Sequence, residues 1–77
     1  MDSRIFIASA QKLIAKLESG EADQAQAQKE VGALFNGLLN PTLPTASKLR
    51  DAALKAGLHV DPMVQKRLRD AEVVWQF

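Results

Sequence analysis

The chain is predicted to be all-α: a small four-helix domain with a helix-turn-helix-like corner between the third and fourth helices. Three observations lead there. Apolar residues recur at three- and four-residue spacing almost throughout. Strand signals are scarce, with no tyrosine, few threonines and no sustained period-two alternation. The breaks in the pattern fall at Ser19-Gly20, Asn40-Pro41 and Gly57 to Asp61-Pro62, each of a chemistry that stops or starts a helix.

Asp2 or Ser3 can cap a first helix whose stripe is Phe6, Ala10, Leu13, Ile14 and Leu17, with Lys12, Lys16 and Glu18 pointing away. Gly20 ends it, because glycine turns a helix end without steric cost. A second helix begins near Ala22 or Asp23 and presents Ala27, Val31, Leu34, Phe35 and Leu38 on one face. Gly32 and Gly37 weaken it, each by about 1 kcal/mol relative to alanine, so Asn36-Gly37 is one possible end. Because Leu38 stays in register, continuation to about Leu39 is the preferred reading, with Asn40-Pro41 as the stop and an extended linker to Thr45. The Ala-Gln alternation from Gln24 to Gln28 reads as a solvated helical surface.

Thr45 is the candidate N-cap of a third helix, Ala46 to Ala56, whose small-residue face is Leu49, Ala52, Ala53 and Ala56. Gly57 supplies the C-terminal cap and Leu58 the apolar contact that accompanies one. Asp61-Pro62, a capping carboxylate before proline at the first helical position, starts a fourth helix that runs to near Trp75. Its inward seam is Val64, Leu68, Ala71 and Trp75. Met63 and Val74 lie to one side of that seam, and Val73 and Phe77 fall almost opposite.

Seventy-seven residues make one domain, of a size whose single core supplies only a few kcal/mol of net stability. With no cysteine and one histidine, neither disulfides nor a metal cage is expected to support it, which leaves self-association or a partner. No cofactor is implied. The apolar patch Ile5, Phe6, Ile7 is too short for a signal-peptide core and no run approaches a membrane span, so the expectation is a soluble, cytoplasmic protein. A formal charge of +1 gives no long-range field toward nucleic acid or an anionic membrane.

Catalytic chemistry has no foothold in the pattern. Ser3, Ser9, Ser19 and Ser47 lack a histidine and acid arranged for nucleophilic attack, and no glycine cluster could cradle phosphate. His59 sits in a turn without a partner in sequence. Glu18, Glu21, Asp23 and Glu30 read as solvent-facing groups near the positive end of the second helix. No enzyme is expected.

Leu49 to Leu68 resembles a helix-turn-helix: Ala53 and Gly57 have the required spacing, Leu58 follows the glycine, and Met63 stands where the second helix takes an apolar anchor. Lys66 and Pro62 depart from that pattern. The resemblance implies a DNA-binding regulator with Gln65, Lys66 and Arg69 at bases or phosphates, and it is the alternative function. The favoured one rests on the carboxyl end, where Val73, Val74, Trp75 and Phe77 crowd more apolar surface than one small core takes up. Together with Met63, and with Ile5 or Ile7 of the first helix, these residues are the candidate protein interface. The expected function is therefore a small non-enzymatic interaction module, an adaptor, inhibitor or assembly factor, docking on another protein or on itself as a homodimer.

Overall fold

The computed structural model describes the backbone of residues 2–75 and the side chains of residues 2–73. It contains four helices, α1 (Ser3–Ser19), α2 (Gln24–Asn36), α3 (Pro44–Lys55) and α4 (Pro62–Trp75), with no strand among the described residues. Trp75, expected in the α4 seam, and Val74 have side chains outside the described set, and Phe77 lies outside it altogether.

Helix α1 starts where Asp2 accepts a hydrogen bond from the Arg4 N–H at 2.7 Å. It stops at Gly20, whose φ of 76° is open to glycine at little cost. The fully enclosed positions Phe6, Ala10 and Leu13 follow the helical stripe. They join Ala27, Val31, Leu34 and Phe35 of α2 and Ala46, Leu49 and Ala53 of α3 in one core. α1 packs most extensively on α3, where alanines at Ala10, Ala46 and Ala53 let the two backbones approach. α4 rests mainly on α3, with Leu68 and Ala71 buried and Val64 half-buried along it.

Three boundaries differ from the sequence expectation. α2 ends at Asn36, not Leu39: Gly37 caps it with its N–H on the Ala33 carbonyl, and the chain then turns with Leu38 N–H on Phe35 O. Leu38 still reaches the core from this loop, whereas Leu39 is 74 % exposed. Keeping register therefore did not require keeping the helix. α3 begins at Pro44 with Leu43 as N-cap, two residues ahead of the expected cap Thr45, because proline at the first helical position has its φ preset and no N–H to satisfy. Nor is the linker extended. Asn40 folds it by accepting from the Thr42 N–H and hydroxyl, a local side-chain turn that competes with extended backbone.

The corner between α3 and α4 is held twice. At the end of α3, Gly57 N–H bonds Leu54 O at 3.1 Å and Leu58 N–H bonds Ala53 O at 2.9 Å, the paired bonds of a Schellman cap, with Gly57 at φ 82°. Leu58 and Val60 then turn into the core. From the other side, α2 grips the same turn. Gln28 Nε2 donates to His59 O at 2.9 Å while Gln28 Oε1 accepts from His59 N–H at 2.8 Å, and Gln24 Nε2 donates to Ala56 O at 3.0 Å. Within the Ala-Gln stretch, Gln24, Ala25 and Gln26 are exposed, as its composition suggested, but the Gln24 and Gln28 amides also clamp the corner. Residues 24 and 28 are one helical turn apart, so both amides leave α2 on the side facing the corner.

Candidate functional site

α4 starts at Asp61, whose carboxylate accepts from the Met63 N–H at 2.8 Å, so the expected cap is formed. Its inward edge is Val64, Leu68 and Ala71, as the seam spacing required. Successive residues of a helix step about 100° around its axis, which sets Met63, Lys66, Asp70 and Val73 on the outward side. All four are exposed, Met63 at 76 % and Val73 at 57 %. With Ile5, Leu39 and Leu54 elsewhere, Met63 and Val73 are exposed apolar residues that core formation does not explain, and these two share one helix that has one main packing neighbour.

Of the other residues expected at an interface, Ile5 is exposed and Ile7 half-buried on α1, and α1 with α4 is not among the principal packed pairs, so they are not gathered onto the same face. Leu39 and Leu54 are exposed apolar residues that no periodicity singled out.

The residues expected to touch nucleic acid are not equivalent. Lys66 and Arg69 are exposed, but Gln65 is half-buried and donates its amide to the Val60 carbonyl at 2.9 Å. Met63, expected as an apolar anchor of the second helix, instead points outward. His59 is exposed, its backbone taken by Gln28.

One charged cluster ties the inner flank of α4 to α3. Arg50 Nη2 lies 2.7 Å from Glu72 Oε1 and 3.0 Å from Asp51 Oδ1, its side chain 14 % exposed. The Glu72 carboxyl is held below its ordinary value, first by the neighbouring Ser47 hydroxyl and then by Arg50, against a burial effect in the opposite direction. Arg50 is the partner in formed contact, since the buried Ser47 Oγ closes no hydrogen bond among the described residues. A carboxyl depressed by folding stabilises the folded state above its unfolded value of 4.5, and that contribution is lost as pH falls through the lower folded value. Glu72→Gln is therefore expected to flatten the acid limb of a plot of melting temperature against pH; an acid limb identical to that of the unaltered protein would show that the pair does not link α3 to α4.

A groove of about 690 Å³ between α1 and α3 has Ile14, Leu17, Ala52 and Ala56 along it and Glu18, Lys48, Asp51 and Lys55 at its edges. Alternating signs give it no preference for a charged ligand. Among the described residues, no cluster of three or more histidine, aspartate or glutamate side chains gathers to hold a metal, and no helix is long and apolar enough to cross a membrane. No protein-family model, curated protein or solved structure matches the chain.

Proposed function

We propose that the protein is a small non-enzymatic interaction module, acting as an adaptor, inhibitor or assembly factor, whose docking element is the outer face of α4. One observation supports this above the others: Met63 and Val73 stand exposed at the two ends of that face, while Leu68 and Ala71 of the same helix are buried in the core. Burying two such side chains would favour an association by at most about 1.5–3 kcal/mol each, which offsets part of the entropy cost of docking.

The test replaces both together, Met63→Ser with Val73→Ser. Because neither supports the core, helical circular dichroism and melting temperature should hold, with stability changing by no more than about 0.5 kcal/mol per site. Association, read by light scattering of the purified protein and by affinity capture from a host lysate, should be lost. Global unfolding of the double variant, or association unchanged in both assays, would reject the docking role.

A further inference from the structure

The outer face of α4 is self-complementary, and from this we infer that its occupant is a second copy of the chain, docked antiparallel. The inference rests on the docking role proposed above and gives it a partner. Along the face the order is Met63, Lys66, Asp70, Val73: apolar, positive, negative, apolar, at spacings of three, four and three residues. That spacing sets the four positions in one row along the helix, within about 80° around the axis.

The sequence along this stripe has a centre of symmetry at Leu68. Rotating a second α4 by a twofold axis over that point sets Met63 against Val73 of the other copy and Lys66 against Asp70 of the other copy, each contact occurring twice. A parallel pair would instead place lysine on lysine and aspartate on aspartate, and like charges opposed across an interface are strongly disfavoured. Neither Lys66 nor Asp70 takes part in the ion pairs formed among the described residues, which join Arg50 to Asp51 and to Glu72. Arg67 and Arg69 flank the stripe and are exposed. At the rim of the antiparallel pair Arg67 comes near the same Asp70, and both arginines keep their heads in water.

The face extends about 15 Å along α4 with four residues from each copy, well short of a standard interface, so the dimer is expected to be weak, transient and concentration-dependent.

Sedimentation equilibrium of the full chain tests this through charge exchange. Lys66→Glu alone sets two acids together across the twofold axis, and Asp70→Lys alone sets two bases together, so each variant should dimerise at least about tenfold more weakly than the unaltered protein. Mixed in equal amounts, the two form opposite-charge contacts at both sites and should recover association as a heterodimer. Circular dichroism checks that both variants are folded; these exposed positions leave the core intact.

A mixture that associates no better than its components overturns the antiparallel copy. So does an unaltered protein that stays monomeric at high concentration. If such a monomer still loses lysate capture on replacing Met63 and Val73, the docking role stands with a foreign partner. If it shows no capture either, both readings fall.

Discussion

Phe6→Ala is expected to leave a large fraction of molecules unfolded at physiological temperature. Phe6 is 1 % exposed and its ring centroid lies 6.4 Å from that of Phe35 at an interplanar angle of 52°, so the pair joins α1 to α2 at the centre of the core. Truncating a buried aromatic to alanine costs about 3–5 kcal/mol through lost transfer energy and the cavity left behind. At 77 residues the whole fold is worth roughly 4–12 kcal/mol. One substitution therefore removes about a quarter of the total or more. Urea titration followed by circular dichroism should show the midpoint falling by at least that fraction, or the cooperative transition vanishing. A midpoint within error of the unaltered protein would mean that the α1–α2 aromatic contact is not central.

Gln28→Ala is expected to cost about 1–2 kcal/mol, more than an exposed polar residue normally does, because one side chain supplies both hydrogen bonds to His59. Water can replace part of what is lost, since His59 is exposed. Gln28→Glu separates the two bonds. The carboxylate still accepts the His59 N–H but has no donor for the His59 carbonyl, so its loss should match or exceed that of alanine. Amide exchange is the more specific measurement: protection should fall in the segment from Leu58 to Val60 before it falls in α1. Uniform loss across all four helices would show instead that Gln28 acts on global stability and not on the corner.

Helix count, order and most of the core were legible from periodicity, because each helix needs one apolar stripe and the stripes of α1 and α4 are unbroken from Phe6 to Leu13 and from Val64 to Ala71. What periodicity could not reveal was the path between helices. Leu38 kept its place in the stripe while its backbone had already left the helix, since a side chain can reach the core from a turn as well as from a coil of α-helix. Thr45 looked like a cap by composition, but proline one residue earlier had already fixed the start.

The outer face was legible in part. Val73 was read correctly as opposite the α4 seam, whereas Met63 was also assigned an anchoring place in the corner that it does not occupy. The links that orient α4 left the weakest trace. Arg50 and Glu72 are far apart in sequence, and no local pattern marks two opposite charges that meet only after the chain has turned. The spacing of Gln24 and Gln28 did carry a signal, two amides on one side of a helix, but low-complexity composition concealed it.

The clamp also has a kinetic side. Gln28 and His59 are 31 positions apart, whereas the helix bonds around them join residues four apart. Contacts that close a long loop contribute only after the intervening chain is ordered, so the two amide bonds are expected to form late in folding. Bonds absent from the transition state slow unfolding without hastening folding. A glutamine that looks like filler is therefore expected to lengthen the time the assembled corner persists.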